Sequence, residues 1–182
     1  NKLSACLGTV AATGRFIVGK KVDFRAGLAA ALLAFPGSWM GTSLLKSIPE
    51  ETIRVMMIIA IPLVALVVLR KGGAIDANPL VEAKWTIPVS AAIGLVVGFY
   101  DGLVGPGTGT FLILLFTMIL GMEGVTASGT AKVVNLASNL ASLSNLFLSG
   151  NVLVGLGLPA AACAIAGNLL GAGMTMKRGT KF

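Results

Sequence analysis

At 182 residues, 55% apolar and only 12% charged, with a mean hydropathy of +0.92, the chain is a membrane protein; a soluble domain carries about twice that charged fraction. Its 14 Lys and Arg against 7 Asp and Glu give a net charge of +7. The charges gather in short joints, as in loops facing anionic lipid, and no basic stripe is interleaved with the few aromatics, so nucleic acid is excluded as a partner. The absence of His rules out, within this chain, a Ser-His-Asp triad, a zinc site and a His proton relay; no catalytic residue, metal or cofactor is expected.

Seven apolar elements follow in order, at residues 3–19, 24–45, 52–69, 86–104, 108–122, 125–149 and 152–176. The fold class they predict is an all-α integral membrane protein, a polytopic helix bundle. The element at 108–122 falls short of the roughly 20 residues a full span needs, which predicts half-membrane helices beside it. Cys6 and Cys163 lie in apolar, small-residue surroundings and read as buried, reduced cysteines. The joint KGGAIDANPLVEAK is the most soluble stretch. It divides the chain into part of a first repeat at 1–70, a cytoplasmic linker at 71–85 and a second repeat at 86–182.

The halves are related. A shift of 130 residues puts Lys2 on Lys132, Val22 on Val152, Gly27 on Gly157, Gly37 on Gly167 and Gly41 on Gly171. The repeated Gly-xxx-Gly predicts two close helix crossings. Basic joints at Lys20, Lys21 and Arg25, at Arg70, Lys71 and Lys84, and at Lys177, Arg178 and Lys181 are expected on the cytoplasmic side. The joint with Lys46, Glu50, Glu51 and Arg54, and the chargeless Gly150-Asn151, are expected outside. Equivalent joints then face opposite sides, which is an inverted repeat of five elements with a site near the midplane. That unit, with a start that lacks an initiator Met and a signal peptide, predicts two further elements before Asn1 and one after Phe182.

The stretch from Gly98 to Phe111, GFYDGLVGPGTGTF, is the most distinctive in the chain. Five glycines and Pro106 predict a helix break there. Gly105, Gly107, Thr108, Gly109 and Thr110 form a candidate nest of N–H groups opening a half-helix at Thr110 or Phe111, a geometry that binds anions. The alternative is that the glycines only allow tight helix crossing. Asp101 is the sole acid inside an apolar element and a candidate proton carrier; its alternative is a cap or a lysine partner. Lys2 and Lys132, related by the repeat, would concentrate an anion between them or snorkel to opposite interfaces. Around Lys132, Ser128, Thr130, Asn135, Ser138, Asn139, Ser142 and Asn145 recur at helical spacing. They form a polar face that needs a neighbour or a pore, and as a set they favour a pathway.

At these residues the chain resembles the TauE/SafE family of sulfite exporters and related sulfonate permeases. The resemblance rests on Gly98-Phe99-Tyr100-Asp101-Gly102, on Gly105-Pro106-Gly107-Thr108-Gly109 with Phe111, on Gly129-Thr130-Ala131-Lys132, and on Asn1-Lys2 as the end of the matching motif of the first half. It implies a multi-pass permease of the inner (plasma) membrane that moves sulfite, a sulfonate or a similar small organosulfur anion by alternating access. The expected substrate contacts are Lys2, Tyr100, Gly105, Gly107, Thr108, Gly109, Thr110, Lys132, Asn135 and Asn139, with Asp101 coupling a proton. Competing readings are a membrane-embedded enzyme, for which Asp101 and Tyr100 are thin equipment, and a non-transporting scaffold subunit. Oligomeric state is not legible.

Overall fold

The computed structural model describes residues 2–70 and 79–179. Among the described residues there are seven α-helices: α1 Lys2–Val18, α2 Phe24–Leu45, α3 Glu50–Arg70, α4 Thr86–Leu103, α5 Thr108–Met118, α6 Gly124–Leu148 and α7 Val154–Arg178, with a 3-10 turn at Ala83–Trp85 before α4. Each expected apolar element is a helix, and the fold is all-α. By length and composition Phe24–Leu45, Ala83–Leu103 and Val154–Lys177 each suffice to cross a membrane. Most of the expected linker falls outside the described residues.

α2 and α4 form the tightest pair and run parallel. The carbonyls of Ala30, Ala34 and Ser38 lie under Gly94, Gly98 and Gly102, while those of Leu95 and Phe99 lie under Gly37 and Gly41. Without a driving force from water, such close approach of small-residue faces is what holds membrane helices together. It also corrects the expected break. Gly98 and Gly102 are helical and serve the crossing, and Gly109 lies inside α5, so the interruption narrows to residues 104–107 and the second helix opens at Thr108. Cys6 is buried, but Cys163 is exposed on α7 and both are free, because α7 turns much of its apolar surface outward.

Three turns place a residue in the left-handed region. Lys20, Gly121 and Gly150 adopt φ of 53°, 67° and 70°. After Lys20 and Gly150 the next residue's N–H reaches back five positions, Lys21 to Phe16 at 3.0 Å and Asn151 to Leu146 at 2.9 Å, which makes these two Schellman caps; after Gly121 it reaches back six, Met122 to Phe116 at 3.1 Å. The left-handed position explains the two glycines. Asp23 caps α2 through Oδ1, which accepts from the N–H groups of Arg25 and Ala26 at 3.0 and 3.1 Å.

The joint at Lys20 and Lys21, the described end of the linker at Leu80 and the end of α7 share one end of the bundle. Lys21 Nζ lies 3.8 Å from Glu123 Oε2, and the Leu80 N–H donates to the Ile119 carbonyl at 3.0 Å. Gly19 abuts Met176. At the other end Lys46 Nζ donates to Ser149 Oγ at 2.7 Å. α4 and α5 are therefore a hairpin with both feet at the basic end. Packing also recurs at the 130-residue offset. Gly27 faces Val133 as Gly157 faces Leu3. Ser43 accepts from Asn145 as Gly173 seats Arg15. Ser38 donates to Ser138 as Gly8 abuts Asn168. The second Gly-xxx-Gly departs from this pattern: Gly167 and Gly171 have nothing within 4 Å among the described residues.

Candidate functional site

The interruption at 104–107 sits deep in the bundle. Its neighbour Asp101 is bonded to Ser138, roughly 21 Å along an α6 that is about 37 Å long at 1.5 Å per residue. Gly105 and Gly107 adopt φ of 90° and 83°, a left-handed conformation that glycine alone enters cheaply. A Cβ at Gly105 would also stand 3.7 Å from Lys2 Nζ and 3.8 Å from Asp101 Oδ1. The chain thus turns here without filling the space beside the charges.

Asp101, 4% exposed, is held from three other helices. Lys2 Nζ on α1 lies 2.9 Å from Oδ2 and donates to the Asp101 carbonyl at 2.8 Å. Ser138 Oγ on α6 donates to Oδ2 at 2.8 Å, and Thr108 Oγ1 on α5 donates to Oδ1 at 2.9 Å. The acid's cationic partner is Lys2, from the other half of the chain. Lys132 instead donates to Asn168 Oδ1 on α7 at 2.9 Å.

These residues border a cavity of about 570 Å³. It brings together Lys2, Asp101, Gly105, Gly107, Thr108, Gly109, Thr110, Lys132, Asn135 and Asn139, ten of the eleven residues expected from sequence. At its floor α5 begins without a side-chain cap. Among the described residues the N–H groups of Gly109 and Thr110 reach no backbone carbonyl, which leaves two donors at a positive helix end. Two ammonium groups, two N–H groups and three amide side chains, those of Asn135, Asn139 and Asn168, therefore converge with one carboxylate.

Tyr100 is the residue left out. One position from Asp101 along a helix, it points about 100° away into an apolar groove of about 490 Å³ between α4 and α5. There its hydroxyl donates to the Pro106 carbonyl at 2.5 Å and its ring meets Phe111 edge-on at 5.3 Å. It fixes the turn from outside. The polar face of α6 also divides. Asn135 and Asn139 line the cavity with Lys132, whereas Thr130 accepts from the Asp23 N–H at 3.0 Å, Ser142 bonds Ser38 at 2.7 Å, and Asn145 donates to Ser43 Oγ at 2.8 Å. Those three bind α6 to the α1–α2 turn and α2 rather than lining a path.

Sequence reasoning missed Asn168, Thr9 and Met57, which also border the cavity. Asn168 carries a signal in retrospect, as a lone amide in an otherwise apolar part of α7. Met57 carries none. Ser38 and Thr42, which bond Ser142 at 2.7 and 2.9 Å, lie one turn apart beside the glycines of α2, and that spacing points to a polar seam.

The family model for the sulfite exporter TauE/SafE matches residues 1–182. A probable membrane transporter protein of Haemophilus influenzae is 35% identical over 182 residues, covering 98% of this chain and 70% of the relative. The probable membrane transporter protein YfcA of Escherichia coli K12 is 29% identical over 184 residues, 100% of this chain and 67% of the relative. YunE of Bacillus subtilis, another probable membrane transporter, is 25% identical over 187 residues, 94% of this chain and 68% of the relative. No solved structure matches the chain. The family and its named members are membrane transporters rather than enzymes, and the match runs through Gly98–Phe111, Lys132 and Lys2 alike: the chain belongs to the TauE/SafE family.

Proposed function

We propose that the chain is the greater part of a permease for sulfite, a sulfonate or a similar small organosulfur anion, working by alternating access in the inner membrane. The observation that carries this reading is the convergence of Lys132, the N–H groups of Gly109 and Thr110, and the Asn135 and Asn139 amides on one cavity. A helix N-terminus and a nearby cation are a complete binding set for a tetrahedral or pyramidal oxyanion.

The ion pair supplies a route to proton coupling. With Asp101 ionised, Lys2 is neutralised at 2.9 Å and its charge is lost to an incoming anion. Protonation of Asp101 ends that attraction and releases Lys2 to face the cavity. Proton and anion then bind in support of one another. The charged groups that share the cavity with Asp101 are Lys2 from α1 and Lys132 from α6; α5 contributes Thr108 and α7 contributes Asn168, both neutral.

Two repeats of opposite orientation, joined by residues 71–85, rock around this site. Support comes from the matched contacts at the 130-residue offset, the matched Lys20 and Gly150 turns, and the placement of those turns at opposite ends. The α4–α5 hairpin, turning at depth with both feet at the basic end, supports a half-membrane α5.

Uptake of labelled sulfite or sulfoacetate by full-length protein in vesicles tests the reading. Lys132→Ala is expected to abolish saturable uptake, and Asp101→Asn to remove its dependence on the proton gradient. Unchanged transport in both variants refutes the assignment.

A further inference from the structure

A second basic site lies away from the transport cavity. At the end that the Lys20–Lys21 joint shares with the end of α7, α1 and α7 frame a cavity of about 330 Å³ lined by Arg15, Leu170, Gly173, Met174 and Lys177. Arg15 and Lys177 form no ion pair among the described residues. Leu170 and Met174 are 69% and 49% exposed. Two uncompensated cations at the edge of the bundle thus stand over an open apolar wall. Gly173 leaves room for the guanidinium: a Cβ there would lie 2.7 Å from Arg15 Nη2, so a side chain at 173 would make Arg15 shift.

The matching place at the opposite end identifies what is special here. Subtracting or adding 130 places Arg15 on Asn145, Gly173 on Ser43 and Lys177 on Ser47. Asn145 is buried and donates inward to the Trp39 carbonyl and Ser43 Oγ. The same corner is neutral at one end, with Asn145 turned inward, and cationic at the other. Leu170 and Met174 fall on Met40 and Leu44, which stay 59% and 44% exposed although α4 is seated on α2. That corner therefore stays open when a helix packs on the neighbouring glycine face.

We propose that Arg15 and Lys177 bind the phosphate of an anionic phospholipid of the cytoplasmic leaflet, with its acyl chain along Leu170 and Met174. The shared chemistry is a phosphodiester or phosphate oxyanion, and the apolar wall below the cations selects the lipid over a free phosphate. Basic pockets between helices on the cytoplasmic side are suited to this, and a planar guanidinium grips phosphate by two parallel bonds.

Native mass spectrometry of the purified full-length protein counts what is retained from phosphatidylglycerol, from phosphatidylcholine with the same chains, and from glycerol phosphate. Retention of phosphatidylglycerol over phosphatidylcholine is expected. It should fall roughly fivefold for each charge removed in Arg15→Gln and Lys177→Gln, and persist largely in Arg15→Lys and in the cavity variant Lys132→Ala. Lys177 is exposed, so Lys177→Gln keeps the test readable should the Arg15 variants unfold. Equal retention of both lipids, or no loss on removing the charges, overturns the site. Displacement of phosphatidylglycerol by an equal concentration of glycerol phosphate overturns the lipid as its occupant.

Discussion

Lys2 and Asp101, 99 residues apart in sequence, form the one ion pair among the described residues whose carboxylate is buried, with Nζ 2.9 Å from Oδ2. Removing one partner leaves the other charge unmatched in the bundle interior. Lys2→Met or Asp101→Leu should each cost about 3 kcal/mol of stability, the low end for a buried pair because Lys2 opens onto a cavity. The double variant should lose less than the sum. Thermal unfolding in detergent checks this, and strictly additive losses would show that the two charges do not couple.

The α2–α4 crossing gives a paired prediction. Gly98→Leu or Gly102→Leu drives a side chain into the carbonyl of Ala34 or Ser38 and should cost upward of about 3 kcal/mol or abolish folding. Gly167→Leu and Gly171→Leu meet nothing in the described structure. In this same chain they should shift the melting temperature little. Equal damage in both sets would contradict the packing.

Lys20 sits at φ of 53° where the equivalent position carries Gly150. Lys20→Gly should be neutral or stabilise by up to about 1 kcal/mol, whereas Lys20→Val should destabilise by about 1 to 2 kcal/mol. The Val variant is the decisive one: an unaffected unfolding midpoint there would mean that the turn is not held left-handed.

Single cysteines at Lys21 and at Ser47 should label from opposite faces of intact cells, and a cysteine at Asn151 should label with Ser47. The Lys46–Ser149 contact sets this expectation. Labelling of positions 21 and 151 from the same face would rule out opposite orientations of the equivalent turns.

The helices were legible because each apolar run is separated from the next by a short polar joint; the structure adds the Asp23 cap of α2 and the left-handed Gly121 and Gly150 after α5 and α6 at those joints. Gly98 and Gly102 misled for a reason. Propensity scores a glycine for what it loses in an isolated helix and is blind to the backbone of α2 that comes into reach when the Cβ is gone. The cavity was legible as a set because charges, amides and a glycine-rich stretch inside apolar elements stand out by residue type. Its pairing was not: nothing in spacing tells Asp101 to choose Lys2 over Lys132, since that choice is made by how α1, packed on α6 and α7, presents Lys2 to the carboxylate. Tyr100 went astray through adjacency, as a neighbour in sequence is a quarter-turn away in space.

Thr9 and Asn139 touch at the heart of the bundle, with Asn139 Nδ2 3.4 Å from Thr9 Oγ1. Under the proposed repeat each is the other's counterpart, so this contact maps onto itself. Whatever tilts the two halves toward one face of the membrane must tilt them back through the same arrangement at this point. Thr9–Asn139 is then the fulcrum of the cycle, the contact whose geometry is alike in the inward-open and outward-open forms while every other polar contact trades places with its partner.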